Sequence, residues 1–258
     1  MQFALVDGQR QTPQSGLKGT CPSCGQASLS KCGSKIIWHW AHNGKRHCDP
    51  WWENETEWHR KWKSLFSESQ REVVHFDQLT GEKHVADIKT SRGMVIELQH
   101  SAMPIEELRA REAFYKRMIW IVDAQPFASQ FERSEEPLPH PKSEMCKDIR
   151  FGHGQARAFW RESEKMEGSA LVEIHSSREI ESEIKANYKG HHFFKWVRPR
   201  AVWFEATAPV FLDFGQDELL WMQIYDELGQ RCVQRISKKI LIEKNGGSYV
   251  SHEKHAGL

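Results

Sequence analysis

The sequence has no apolar run long enough to cross a membrane. A bilayer-spanning helix needs about 20 mostly apolar residues, and no stretch of the chain approaches that length. The opening residues, MQFALVDGQRQTPQ, also lack the basic start and the apolar stretch of a signal peptide. We therefore expect a cytoplasmic protein with no membrane partner.

The chain also has no excess of charge of either sign. Lys and Arg number 36 and Asp and Glu number 35, so any affinity for nucleic acid must come from a local patch. The apolar fraction of 39% and the charged fraction of 28% are ordinary for a globular protein, and 258 residues suffice for one large or two modest domains. Internal repeats and low-complexity tracts are also lacking.

Composition divides the chain into three parts. Residues 1–50 are rich in Cys, His, Gly and Ser, and residues 51–127 alternate helix-like and strand-like periods. Residues 128–258 contain a proline-rich linker, a charged helical stretch near 155–190 and strand-like runs that include AVWFEAT and PVFLDFG. We predict a Cys- and His-rich lobe, a domain of alternating helices and strands, and a mixed, β-rich C-terminal domain in that order.

Four of the six cysteines lie within the first 50 residues. Cys21 and Cys24 form a Cys-x-x-Cys-Gly knuckle, which lets two thiolates reach one tetrahedral zinc ion. The other two ligands must come from the remaining Cys and His residues of the lobe, namely Cys32, His39, His42, His47 and Cys48. We predict His42 and Cys48, with His39 as the main alternative to His42. Such a closed site would be structural, whereas the alternative is a set of unmetallated cysteines and surface histidines.

A helix is predicted within DPWWENETEWHRKWKSLFSES. Asp-Pro is a helix entry signal, and Asn54 with Glu57 offers a second one. Glu55, His59 and Lys63 recur at intervals of four and would share one stripe of the helix. The simplest interpretation of that stripe is a solvated face with charge pairing.

Two short strands follow within HVADIKTSRGMVIELQHS. Period-two alternation places Glu97 and Gln99 on one face of the second strand, where Asp87 of the first strand can meet Glu97 across the hairpin. Two converging carboxylates repel each other unless a cation lies between them, and oxygen ligands suit Mg²⁺ or Mn²⁺. The alternative is a sheet edge that carries protective charges.

A second helix, PIEELRAREAFYKR, and a buried strand, MIWIVDA, complete an α-β-β-β-α-β order. The C-terminal segment KGHHFFKWVRPRAVW interleaves basic and aromatic residues. That texture suits either nucleic-acid stacking or, more simply, a packing surface.

Taken together, these blocks resemble the PD-(D/E)xK nuclease superfamily and, more narrowly, the competence protein CoiA-like nucleases. The matching stretches lie within residues 21–123 and are the Cys-x-x-Cys knuckle with HWAH, then ENETEWHRKWK, HVADIKT, VIELQHS, EELRAREAFY and MIWIVD. The resemblance implies an α/β fold: a restriction-endonuclease-like α-β-β-β-α-β core with an N-terminal zinc-ribbon-like lobe.

The resemblance also implies roles for single residues. Asp87 and Glu97 would hold Mg²⁺ or Mn²⁺, and Glu55 would orient a metal-bound water. Gln99 stands where the superfamily usually has a lysine. Because Gln carries no charge, a second metal ion, His59 or Lys63 would have to supply the missing positive charge.

Arg111 and Tyr115 match a recurrent Arg and Tyr of the family. They would grip the scissile backbone of the DNA or brace the acids; the alternative is an Arg paired with a neighbouring Glu and a Tyr in the core. The expected activity is metal-dependent DNA endonucleolysis, in DNA processing or in defence against foreign DNA. The alternatives are a nucleic-acid-binding zinc protein with weak or lost catalysis and an interaction module for a partner protein. Whether the chain forms a homo-oligomer is open.

Overall fold

The computed structural model describes residues 1–44 and 48–249. In these residues the protein is a mixed α/β molecule, built mostly of β sheet with few helices, and the coarse fold class is as predicted. None of the described helices combines the length and the apolar character that a membrane crossing requires.

The N-terminal half of the chain contains nine strands and two helices in its described residues. They are β1 (Ala4–Val6), β2 (Gln9–Gln11), β3 (Lys18–Thr20), β4 (Ala27–Lys31), β5 (His39–His42), α1 (Glu57–Ser64), β6 (Arg71–Phe76), β7 (Lys83–Lys89), β8 (Val95–Gln99), α2 (Ile105–Tyr115) and β9 (Met118–Asp123).

Shorter elements dominate the rest of the described chain. They are β10 (Phe131–Arg133), β11 (Leu138–Pro139), β12 (Ile149–Phe151), β13 (Ala158–Arg161), β14 (His175–Ser176), α3 (Glu181–Asn187), β15 (Tyr188–Trp196), β16 (Val210–Asp213), β17 (Glu218–Ile224), β18 (Arg231–Ser237) and α4 (Lys238–Lys244).

The chain folds into two compact units. Unit 1 contains Met1–Ile121, Val202–Ala208 and the described residues from Leu241 onward, and unit 2 contains Val122–Ala201 and Pro209–Ile240. Unit 1 therefore takes in two segments that are distant in sequence.

An antiparallel sheet with the order β2-β1-β3-β4-β5 forms the N-terminal lobe of unit 1. Asp7 and Gly8 join β1 to β2 with φ angles of 51° and 79°, the left-handed conformation that a two-residue hairpin turn needs. In β5, Trp40 is buried, and its backbone N–H donates to the Met1 carbonyl at 2.9 Å. The lobe thus holds β5, and with it His42, in a fixed register.

Helix α1 begins later than the Asp-Pro signal predicts. Thr56 is the actual N-cap, in a capping box with His59. Asp49 does not cap the helix. Its Oδ2 accepts the Val85 backbone N–H at 2.8 Å, and its Oδ1 accepts the Trp51 backbone N–H at 3.0 Å. Residues 51–56 consequently form an irregular segment that lies before the helix and carries Glu53 and Glu55.

Strands β6, β7 and β8 form antiparallel pairs, and β9 lies next to β8. The β7–β8 turn uses Gly93 at a φ of 76°. In β6, Arg71 and Val73 pair with Ile88 and Ala86, which places Glu72 opposite Asp87. Every residue of β8 is buried. The sheet therefore brings acids from three neighbouring strands into one row.

Helix α2 is fixed to its unit by the buried carboxylate of Glu112. This carboxylate accepts the Trp120 indole N–H at 3.0 Å and the Thr207 backbone N–H at 2.9 Å. The Ala208 N–H donates to the same group at 3.1 Å. Residues 202–208 thus hold the helix that carries Arg111.

Unit 2 contains an antiparallel sheet with the order β10-β15-β18-β17-β16 and a three-stranded sheet with the order β12-β13-β14. Its core is largely aromatic and aliphatic and includes Phe151, Phe159, Ile180, Phe193 and Tyr225. Two local predictions are wrong: AVWFEAT begins with a 3-10 turn at Ala201–Phe204, and the charged stretch near 155–190 is helical mainly at Glu181–Asn187.

Candidate metal centre and acidic cleft

Four predicted zinc ligands of the N-terminal lobe lie together. The Sγ atoms of Cys21 and Cys48 are 3.8 Å apart, and the Cys24 Sγ lies 3.4 Å from the His42 Nε2. One ligand atom from each of the four residues lies within 4.8 Å of all the others. Cys21 and Cys24 come from the turn after β3, whereas His42 ends β5, so the sheet itself assembles the cluster.

The thiols of this cluster titrate together. Burial and the neighbouring thiol groups raise the pKa of Cys48 to about 12, and burial also raises the pKa of Cys21. For Cys24 burial is outweighed by hydrogen bonds from the Gln26 backbone and the other thiols, and its pKa is lowered. Three thiolates this close repel one another unless a cation neutralises them, so the cluster has the composition and spacing to hold a metal ion.

Two other candidate ligands of the lobe, His39 and Cys32, lie in the described residues and do not join this cluster. The His39 Nδ1 lies 2.8 Å from the Ile37 carbonyl, so this ring is bound to its own loop. Cys32 is a free cysteine outside the group. His47 lies outside the described residues.

Unit 1 also contains a cavity of about 370 Å³ next to the cluster. Acids dominate its charged lining, which consists of Asp49, Glu53, Glu55, His59, Lys63, Glu72, Asp87, Glu97 and Arg111, and His42 and Cys48 reach the same cavity. We call it the acidic cleft. Three of the predicted catalytic acids thus face one space.

Asp87 and Glu97 are linked through the sheet that carries them. The Asp87 backbone N–H donates to the Glu97 Oε1 at 3.2 Å, and the Leu98 N–H donates to the Asp87 Oδ2 at 3.0 Å. Each carboxylate thereby accepts a backbone N–H of its own hairpin. Burial and the nearby Asp87 raise the pKa of Glu97 to about 8 against the opposing effect of Arg111. Glu97 therefore takes up a proton more readily than an ordinary glutamate does.

Lys63 of α1 reaches the same acids from the other side. Its Nζ lies 2.9 Å from the Asp87 Oδ1, 3.1 Å from the Glu55 Oε1 and 3.3 Å from the Glu72 Oε1. Burial opposes its charge, but the three carboxylates outweigh burial and hold the pKa of Lys63 well above its ordinary value. The ammonium is therefore a fixed positive charge in the cleft and not part of a solvated stripe.

Glu55 is bound to two cations. It precedes α1, and its two oxygens lie 3.1 Å from the Lys63 Nζ and 2.6 Å from an Arg60 nitrogen. Among the described residues, two groups of at least three ligand side chains gather within 4.8 Å: the Cys/His cluster and the trio Glu164, Glu173 and His175. Glu55, Asp87 and Glu97 do not form another such group.

His59 connects α1 to β8. Its Nδ1 accepts the Thr56 backbone N–H at 3.2 Å, so in the neutral ring the proton is on Nε2, which donates to the Leu98 carbonyl at 3.2 Å. Burial lowers the pKa of His59 despite the nearby acids. Both ring nitrogens are therefore used, Nδ1 in the cap of α1 and Nε2 on the strand that carries Glu97.

Gln99 is buried, but its amide faces the chain that follows β8. The Nε2 donates to the Ser101 carbonyl at 3.3 Å, and the Oε1 has no hydrogen-bond partner among the described residues. Alternation along the strand predicts Gln99 beside Glu97. The chain leaves the strand at this residue, however, and Ser101 binds the amide.

Arg111 is buried and bonded to acids. Its Nη1 lies 3.0 Å from the Glu97 Oε2, its Nη2 donates to the Trp51 carbonyl at 2.7 Å, and it also pairs with Glu107. Tyr115 packs its ring near Trp51, and burial raises the pKa of its hydroxyl. Arg111 thus braces Glu97, while contact of either side chain with a substrate stays a prediction.

Sequence reasoning missed three residues of the cleft. Glu53 accepts the Ser101 N–H at 2.7 Å and has its Oε2 4.0 Å from the His59 Nε2. Asp49, read as a helix cap, binds the His84 ring at 2.8 Å. Glu72 contacts Lys63, and its only signal in sequence is an acid at the start of a strand whose partner strand carries Asp87.

No family model, curated protein or solved structure matches the chain.

Proposed function

We propose that the protein is a divalent-metal-dependent DNA endonuclease of the CoiA-like PD-(D/E)xK type. One observation carries the proposal. Asp87 and Glu97 lie on the two strands of one hairpin, and each carboxylate accepts a backbone N–H from the other strand. Both acids line one cleft, with the Lys63 ammonium 2.9 Å from Asp87. Two acids on adjacent strands and a lysine from helix α1 suit phosphodiester hydrolysis.

The order of elements supports the proposal. From Glu57 to Asp123 the chain runs through α1, three antiparallel strands, α2 and β9. This is the order of the α-β-β-β-α-β core that a restriction-endonuclease-like fold requires, and both proposed metal-binding acids come from its middle hairpin.

Asp87 and Glu97 fit a hard cation in their chemistry. Both offer carboxylate oxygens, and burial together with the charge of Asp87 raises the pKa of Glu97, an effect that a bound cation would oppose. We propose that they hold Mg²⁺ or Mn²⁺, which when bound would polarise the phosphate and lower the pKa of a bound water.

The cations of the chain would then have separate tasks. Lys63 would supply the positive charge that Gln99 lacks, since its ammonium is held beside Asp87 whereas the Gln99 amide is bound to Ser101. Arg111 would keep the Glu97 carboxylate turned into the cleft. Glu55 would hold Lys63 and Arg60 in place; a role in orienting a water molecule requires it to leave these partners.

The Cys/His cluster would bind zinc. Three thiols and one imidazole in a closed set are the composition of a structural zinc site. The zinc would stabilise the N-terminal lobe, whose strand β5, the turn after β3 and the segment after β5 supply the ligands, without taking part in the reaction.

Plasmid cleavage tests the proposal. Purified protein with Mg²⁺ or Mn²⁺ should nick or linearise supercoiled plasmid, and Asp87→Asn and Glu97→Gln should abolish this while Glu106→Gln, an exposed acid of α2, should not. Cleavage that persists in both cleft variants would refute the assignment of the site. The expected biological setting is DNA processing or defence against foreign DNA.

A second candidate is a nucleic-acid-binding zinc protein that does not cleave. The observation in its favour is that Asp87 and Glu97 are already neutralised by Lys63 and Arg111. This candidate expects plasmid to be retarded in a gel but left intact with every divalent metal. A protein that neither cleaves nor retards DNA would instead be an interaction module for a partner protein.

A further inference from the structure

Glu72 has a backbone conformation that side chains rarely adopt. Its φ is 44°, in the left-handed region that costs a non-glycine residue of this size on the order of 1 kcal/mol or more. Nevertheless Glu72 lies inside β6, between two residues that are regularly paired with β7. Backbone strain in the middle of a strand persists only where other contacts hold the residue, so the contacts of its side chain matter.

Those contacts join two parts of unit 1. The Gln2 backbone N–H donates to both oxygens of Glu72, at 2.9 and 2.7 Å, and the Phe3 N–H donates to the Oε2 at 3.3 Å. Gln2 and Phe3 immediately precede β1 of the N-terminal lobe. On its other side Glu72 lies 3.3 Å from the Lys63 Nζ in the acidic cleft. Its side chain is only 10% exposed, so water competes little for these bonds.

Charge explains why Lys63 stays between the strands. Glu72 and Asp87 stand opposite each other on β6 and β7, and like charges in that position destabilise a sheet. The ammonium lies within 3.3 Å of both carboxylates and offsets part of their repulsion. Glu72 therefore holds the Lys63 ammonium next to Asp87 from within the sheet. Glu55 contacts the same ammonium from the segment before α1.

We propose that Glu72 is a positioning residue, which fixes the Lys63 ammonium against Asp87 and ties it to the backbone of the N-terminal lobe at Gln2 and Phe3. The role in catalysis rests on the proposed nuclease function, whereas the link between lobe and cleft does not. Glu72 would then be one route by which a disturbance of the lobe reaches the cleft.

The matched variants are Glu72→Gln and Glu55→Gln. Each removes one carboxylate from Lys63, but Glu72 alone of these two accepts the Gln2 and Phe3 amides. Amide hydrogen exchange should accelerate at Gln2 and Phe3 by about tenfold or more in Glu72→Gln and stay at the wild-type rate in Glu55→Gln. The ¹⁵Nζ resonance of Lys63 should shift in both.

Cleavage kinetics test the role of Glu72 in catalysis. Glu72→Gln should lower kcat by about 10- to 100-fold, less than the 10²–10³ typical for loss of a whole charge-stabilising group, and leave the KM for DNA within about twofold. A purely structural role would instead lower the amount of active enzyme, with recovery of kcat on cooling.

Three results would overturn the proposal. They are wild-type exchange at Gln2 and Phe3 in Glu72→Gln, equal acceleration in Glu55→Gln, and an unmoved Lys63 resonance in Glu72→Gln. If Glu72→Gln does not fold, Lys63→Met tests the same link from its other end and should accelerate exchange at the same two amides. A wild-type protein that cleaves no DNA refutes the nuclease function, while the exchange data still decide the link.

Discussion

The ammonium of Lys63 lies 2.9 Å from the carboxylate of Asp87, although 24 residues separate them in sequence. Two further carboxylates, those of Glu55 and Glu72, lie within 3.3 Å of the same nitrogen. The positive charge beside Asp87 therefore comes from helix α1 and not from the strand that carries Glu97. This arrangement leads to the first two predictions.

Replacing Lys63 should impair both cleavage and folding. Lys63→Met removes the cation shared by three acids, and we expect single-turnover DNA cleavage to fall by about 10²–10³. The uncompensated acids should also lower the free energy of unfolding by about 3 kcal/mol, measured by urea denaturation. Lys61→Met, an exposed lysine of the same helix, is the control for both measurements. Near-normal cleavage in Lys63→Met would mean that another group, such as a second metal ion, supplies the charge.

Placing a lysine at residue 99, where PD-(D/E)xK nucleases usually have one, should not help. Gln99→Lys would bury a charge where the amide now binds Ser101, and we expect a loss of about 3–5 kcal/mol in the free energy of unfolding and no gain in cleavage. Gln99→Leu should be nearly neutral or stabilising, because it removes an amide oxygen that has no partner in the described structure. Faster cleavage by a stable Gln99→Lys variant would contradict the role given to Lys63.

The Cys/His cluster predicts a metal requirement for the N-terminal lobe. Cys24→Ser should abolish bound zinc, measured by atomic emission, whereas Cys32→Ser, a free cysteine of the same lobe, should retain it. If the metal contributes about 2 kcal/mol, its loss should lower the Tm by about 4–8 °C. Equal metal content in the two variants would show that the four residues are not the ligands.

Unit 2 should lose stability in mild acid because His192 is buried as the neutral ring. Its Nδ1 donates to the Glu136 carbonyl at 3.1 Å, and its Nε2 accepts the Tyr188 hydroxyl at 2.7 Å. Burial, with Arg133 and Arg235 nearby, lowers its pKa to about 4. The unfolded chain binds this proton near pH 6.5, so the stabilisation is complete above that value and is lost as pH falls toward 4.

Urea denaturation between pH 7 and pH 4 measures this loss. Its expected size for one histidine is on the order of 1–3 kcal/mol, and His192→Gln should flatten the pH dependence, whereas His153→Gln, which changes an exposed residue, should not. His191, whose pKa burial also lowers to about 4, will add to the slope and remains in both variants. An unchanged slope in His192→Gln would contradict the prediction.

The features that sequence reasoning reached are those set by local pattern. Alternation along β8 and the glycine turn at Gly93 bring Asp87 to Glu97, because both effects act within 15 residues. The knuckle at Cys21 and Cys24 likewise fixes two ligands of the candidate metal centre.

Long-range contacts explain what sequence reasoning missed. Glu72 accepts hydrogen bonds from Gln2 and Phe3, which lie about 70 residues earlier in the chain. No periodicity in the sequence marks these partners. The interval of four predicts Glu55 and Lys63 on one helical stripe. Thr56 caps the helix, however, so Glu55 meets Lys63 from the segment before it. Gln99 follows the alternation of its strand, but the turn at Ser101 decides where its amide points.

The bonds of Glu112 set a limit on shortening this protein. A chain ending at residue 127 would keep every proposed catalytic side chain but would lose Thr207 and Ala208, whose backbone N–H groups solvate that buried carboxylate. The anion would be left in an apolar setting without two of its donors, and the helix that carries Arg111 would shift or melt. Inactivity of such a fragment would consequently reflect the loss of the two backbone donors that hold α2, and it would say little about the chemistry of the intact protein.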